Sequence, residues 1–146
     1  MIEFTKNHFE VVKSVDWSDV IDKIGFEFKN ETVNFVAKDP KTPPTFALHS
    51  NYYPGSILKA FNEVKAELDV AEMHVYTSFG NNSSTYGRHK DTMNVLIVAA
   101  IGTVAYNFDN DLSYTLNPGD SVLITKGAYH QPVITEPRVT LSFSWN

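Results

Sequence analysis

From Val70 onward apolar residues recur at every second position, in runs cut by Gly, Asn and Pro. Such alternation predicts short, half-buried strands over Met73–Phe79, Met93–Ala100, Thr103–Phe108, Ser121–Thr125 and Val139–Trp145. Together they read as an antiparallel sandwich or barrel. Before Val70 the pattern differs. Asp16-Trp17-Ser18-Asp19 precedes Val20, Ile21 and Ile24, a short helical pattern with capping residues at its start. Asp39 to Pro44 is a turn or loop. Ser56 is a candidate N-cap, and Ile57, Phe61, Val64 and Leu68 then recur along one helical face, which predicts a helix packed outside a sheet. The polar segment Gly80 to Thr85 lies just before the most interesting residues and is either a lid or a plain hairpin loop.

Length changes this picture by bounding it: 146 residues suit one domain, with 1–69 supplying covering strands and helices and 70–146 the barrel core. Hydrophobic residues make up 42% and charged residues 20%, an ordinary globular balance. The net charge of −5 disfavours nucleic acid as a partner. No stretch approaches the apolar length needed to span a bilayer, and Met1 to Glu10 lacks a signal-peptide core, so a cytoplasmic location is expected. A homodimer is compatible with all of this. There is no cysteine, so a metal would have to be held by His and carboxylate.

His89 and Asp91 are one residue apart, so on an extended segment both project from one face and can chelate one ion. His-x-Asp alone is a common surface pattern. The second half comes from Gly119-Asp120-Ser121 through Gly127-Ala128-Tyr129-His130, a turn, an apolar strand, a glycine turn and a histidine. This segment resembles the second cupin motif, with Thr125 at the usual proline position, and the first half resembles the first cupin motif with Asp91 for its second histidine. Val95 stands at the glutamate position and Gly102 at the glycine position, so the fourth cupin ligand is missing. The resemblance implies a mainly β double-stranded β-helix, the cupin or jelly-roll barrel, with one or two flanking N-terminal helices. His89, Asp91 and His130 then form the two-histidine, one-carboxylate triad that suits Fe(II) and leaves positions open for a bidentate co-substrate and O2. The competing reading is a degenerate barrel whose two histidines only pack or hydrogen bond.

The commonest co-substrate for that triad, 2-oxoglutarate, needs a cation for its far carboxylate, and Arg138 is the candidate. Arg138, Thr140, Ser142 and Ser144 share one face of the last strand, while Val139, Leu141, Phe143 and Trp145 share the other. Arg138-Val139-Thr140 resembles the Arg-x-Ser element of 2-oxoglutarate oxygenases. The alternative is an ion pair between Arg138 and Glu136 or Asp120. Tyr76, facing the same way as His74 and Ser78, is either a further contact to the keto-acid or a core or rim tyrosine.

From Tyr76 to Trp145 the chain resembles the Jumonji-C-related, cupin-like branch of Fe(II)/2-oxoglutarate oxygenases. Ribosomal-protein hydroxylases of that branch place a basic anchor where this chain has Thr103-Val104-Ala105, so either Arg138 is the anchor, as in other oxygenase branches, or the co-substrate is not 2-oxoglutarate. The resemblance implies a dioxygenase that hydroxylates a protein side chain or a small molecule. The competing functions are a non-enzymatic metal-binding cupin module and a cupin enzyme that does not use 2-oxoglutarate.

Overall fold

The computed structural model describes all 146 residues and contains ten strands and two α-helices. In chain order these are β1 (Ile2–Thr5), a 3-10 turn (Val11–Ser14), α1 (Trp17–Lys29), β2 (Val33–Val36), β3 (Thr45–Leu48) and α2 (Ser56–Lys65). They are followed by β4 (His74–Ser78), β5 (Asn94–Ile101), β6 (Val104–Phe108), β7 (Ser113–Leu116), β8 (Ser121–Ile124), β9 (His130–Val133) and β10 (Arg138–Trp145). A seven-stranded antiparallel sheet runs β1-β8-β5-β10-β4-β3-β2 and a three-stranded one runs β7-β6-β9. Every strand expected from alternation is present within a residue or two. The short strands β1, β2, β3, β7 and β9 are additional, and three of them bring the N-terminal third into the large sheet.

Strand β10 organises the large sheet because it pairs with β5 on one side and β4 on the other. Its alternation sorts two environments. Val139, Leu141 and Phe143 are fully buried on the outer face, beneath Ile57, Ala60, Phe61 and Val64 of α2, Val20 of α1 and Val12 of the 3-10 turn. On the inner side Val95, Ile97, Val122 and Ile124 pack against Val104, Tyr106, Leu116 and Ile134. Burying such side chains contributes roughly 1.5–3 kcal/mol each, which fixes register because a one-residue slip would turn them all to the wrong face.

The cap of α2 differs from expectation. Ser56 is the first helical residue rather than the cap, and Gly55 holds the cap position at φ +48°. The orphan amide of Ser56 donates to the Asp19 carboxylate at 2.8 Å, and the Ser56 hydroxyl donates to it at 2.5 Å. A Cβ at position 55 would meet that carboxylate at 2.7 Å, so the cross-helix cap requires glycine. α1 is capped as its sequence suggests, by Asp16 accepting from the Asp19 amide. Leu68 lies beyond the end of α2 and packs on the same core.

Inside α1, Lys23 and Glu27 are both fully buried and paired at 3.2 Å. The ammonium donates to the carbonyls of Ser50 and Tyr52, and the carboxylate accepts from the amides of His49 and Ser50. The pair thus fastens the loop after β3 to the helix. No helix of the protein is long and apolar enough to cross a membrane.

Candidate metal centre

Two chain segments meet to form the centre. His89, in the segment before β5, and His130, the first residue of β9, form an antiparallel bridge in which each amide donates to the other residue's carbonyl, at 2.9 and 2.8 Å. That bridge sets both imidazoles side by side, ring centroids 4.3 Å apart. Asp91, two residues along, has its carboxylate oxygens 3.9 Å from His89 Nε2 and 3.3 Å from His130 Nε2. One donor atom from each residue lies within 4.8 Å of the other two. The Gly127 amide donates to the Asp91 carbonyl at 2.8 Å, tying the glycine turn to the same place.

The histidine rings are held in the orientation a metal needs. His89 Nδ1 is 2.8 Å from the Gly87 carbonyl and His130 Nδ1 is 3.0 Å from the Ala128 carbonyl. A carbonyl only accepts, so each Nδ1 carries a proton, and when the rings are neutral both Nε2 lone pairs point at the gap beside Asp91. When the rings are protonated, a hydrogen bond from His130 and the charge of both histidines hold the Asp91 carboxyl below the usual carboxylate range despite partial burial. Two neutral imidazoles and one carboxylate fit a divalent transition ion. Val95, at the position of the fourth cupin ligand, is buried in the apolar core and offers no donor atom.

These three residues line a cavity of about 190 Å³ that also reaches Arg138 and Tyr76. Arg138 is only 3% exposed, and its guanidinium donates to the hydroxyls of Ser78 (3.1 Å) and Thr140 (2.6 Å). It forms no ion pair. Both alternative partners are engaged elsewhere, Glu136 with the Thr103 hydroxyl and Asp120 with the amides of Asn7 and Asn117. Burial lowers the Arg138 pKa from its ordinary value, with the tyrosines Tyr106 and Tyr76 acting against the shift. Burial in turn raises both tyrosines. Thr140 is fully buried behind the guanidinium, so in this structure its hydroxyl holds Arg138 in place.

Tyr76 lines the cavity, whereas His74, on the same face of β4, lies outside it and stacks on His49, ring centroids 3.9 Å apart. Ser78, Tyr106 and the carbonyls of Gly87 and Ala128 belong to the site but were not picked out from sequence. Ser78 had one signal, its place on the Tyr76 face of β4. The carbonyls had none, because a main-chain acceptor leaves no mark on residue identity.

No protein-family model matches the chain, and no curated protein matches it. Solved structures do. The Escherichia coli ribosomal oxygenase YcfD aligns over 99% of this chain and 48% of its own, with a TM-score of 0.73 at 15% identity. YcfD in complex with cobalt and 2-oxoglutarate aligns over 100% and 48%, with a TM-score of 0.76 at 15% identity. A Pseudomonas putida prolyl-4-hydroxylase aligns over 99% of this chain and 92% of its own, with a TM-score of 0.58 at 9% identity. The chain spans about half the length of YcfD. At these identities the likeness is one of fold, the mainly β cupin or jelly-roll type.

Proposed function

We propose that this chain is an Fe(II)- and 2-oxoglutarate-dependent oxygenase that hydroxylates its substrate. One observation carries the reading: a buried guanidinium without any carboxylate partner opens into the cavity that holds two histidines and an aspartate. An uncompensated buried charge is costly, and a carboxylate is the natural complement of such a site. The cobalt and 2-oxoglutarate complex of YcfD supports the same pairing of metal and keto-acid on a related fold.

In this reading His89 Nε2, His130 Nε2 and an Asp91 oxygen hold the iron. Bound Fe(II) supplies the redox chemistry by which O2 is used to oxidise the keto-acid and hydroxylate a substrate C–H bond. The chain's own contribution is positional. Arg138, held by Ser78 and Thr140, receives the far carboxylate as a charge-assisted pair. Tyr76 offers a hydroxyl on the same wall, and its raised pKa keeps it a protonated donor at neutral pH. Val95 and Ile97 supply an apolar floor that limits water.

The decisive experiment is anaerobic Fe(II) titration with and without 2-oxoglutarate, followed by visible absorbance. A metal-to-ligand charge-transfer band that needs both components supports the proposal. Iron binding with no spectral response to the keto-acid rejects it in favour of a metal-binding cupin of another kind.

A further inference from the structure

We infer that the free edge of β2 is a docking strand for an extended polypeptide substrate, which adds to the sheet and directs one side chain into the metal cavity. The inference deepens the oxygenase reading and rests on it for the meaning of that cavity. It begins with the sheet order. β2 is the last strand of the large sheet and pairs only with β3, so alternate amides and carbonyls along its outer side are unpaired. Such an edge is a template for another strand unless it is blunted by shortness, proline, charge or a covering element, and β2, at four residues, is a short template. Val33-Asn34-Phe35-Val36 contains neither proline nor charge.

The two faces of this edge differ in a way that suits alternating recognition. On the inner face Val36 lies opposite Thr45, and both line the cavity that contains His89, Asp91 and His130. On the outer face Phe35 lies opposite Phe46, ring centroids 6.3 Å apart. Phe28 of α1 and Phe79 just after β4 surround Phe46 at 6.1 and 6.0 Å. Phe35, Phe28 and Phe79 are 60%, 54% and 45% exposed, a contiguous aromatic surface beside an unpaired strand.

A strand laid antiparallel on β2 would alternate in register with it. Residues facing inward would enter the cavity mouth beside Val36, while their immediate neighbours would fall on the phenylalanines. The occupant is therefore an extended peptide with an apolar side chain next to the residue presented to the metal. Main-chain pairing supplies affinity and the two faces supply selectivity, as in other strand-addition complexes. A folded surface without a free strand could satisfy the aromatic patch or the cavity, but not the unpaired main-chain groups between them.

The test uses the full chain and a display library of random twelve-residue peptides, the selected sequences being resynthesised with single N-methyl amides. Sensitivity to methylation should alternate, with every second amide along the bound stretch losing roughly tenfold or more in affinity, equal to about 1.4 kcal/mol. Phe35→Glu, an exposed change that should leave circular dichroism unaltered, should weaken the same peptides by a similar factor. Leu112→Ser, an exposed change in the turn between β6 and β7 of the other sheet, should leave peptide binding intact. Peptides that bind in this pattern without any iron- and keto-acid-dependent turnover would sink the oxygenase reading and leave the docking strand standing. Selection of no peptide, methylation without alternation, indifference to Phe35→Glu, or a self-associated chain that Phe35→Glu converts to monomer would each overturn the inference, the last by assigning the edge to a second copy.

Discussion

Arg138 donates to the hydroxyl of Thr140, two residues further along the same strand, at 2.6 Å, and no carboxylate reaches the guanidinium. The strand therefore presents its own cation already aimed, with its rotamer fixed by neighbours. Arg138→Ala should raise the 2-oxoglutarate dissociation constant by roughly tenfold or more, since a charge-assisted contact contributes roughly 1.5–3 kcal/mol. Arg138→Lys should recover only part of that loss because an ammonium lacks the planar fork. Thr140→Val should fall between wild type and Arg138→Ala. Calorimetric titration of the keto-acid into the metal-loaded protein checks all three, and wild-type affinity in Arg138→Ala would remove the anchor assignment.

Metal binding should be all or nothing across the triad. Val95 supplies no replacement donor, so His89→Ala, Asp91→Ala and His130→Ala should each lose Fe(II) or Co(II) affinity by two orders of magnitude or so. Their stabilities should separate. His89 and Asp91 are partly exposed and should leave the melting temperature nearly unchanged, whereas His130 is 4% exposed and its loss should lower it. Titration calorimetry and a thermal melt on each variant give the two readouts.

The Lys23–Glu27 pair predicts strong coupling in stability. Lys23→Met strands a buried carboxylate and Glu27→Gln strands a buried ammonium, each costing about 3–5 kcal/mol. The double variant is neutral and keeps an amide oxygen for His49 and Ser50, so it should lose clearly less than the two single losses added together. Urea unfolding of all four proteins measures the coupling, and simple additivity would show that the pair is not acting as a unit.

The stacked histidines His49 and His74 make stability sensitive to mild acid. Burial pushes both imidazoles below their ordinary value of 6.5, and the nearby carboxylates of Glu27 and Glu72 only partly offset it. The unfolded chain then binds more protons than the folded one in the window below 6.5, so stability falls as pH drops from there toward the depressed folded values. His74→Gln should flatten that slope in melts taken between pH 7 and pH 5. An unchanged slope would place the acid sensitivity in other groups.

Much of the site could be read from residues whose side chains alternate on extended segments. The spacing of His89 and Asp91, the glycine turn before His130, and the division of β10 into a polar and an apolar face all survive in the folded chain, because period-two patterning maps directly onto the two faces of a sheet. Four-residue strands such as β2 and β9 are not individually legible in the sequence, because so short a run contains barely two turns of the pattern, and Pro132 inside β9 argues against a strand. Lys23 and Glu27 stand four residues apart in α1, the spacing of many helical ion pairs. Nothing local reveals that their partners are main-chain atoms some twenty-odd residues away. The same holds for Asp19, whose cap on α2 joins positions 37 residues apart.

The paired amides and carbonyls of His89 and His130 join the two ligand-bearing segments through main chain alone. Spacing between these positions is thus independent of which side chains occupy them. A substitution at either position therefore changes the donor atoms on offer there while the main-chain pairing stays in register. Retuning the chemistry of this centre is a matter of single substitutions rather than of a new fold.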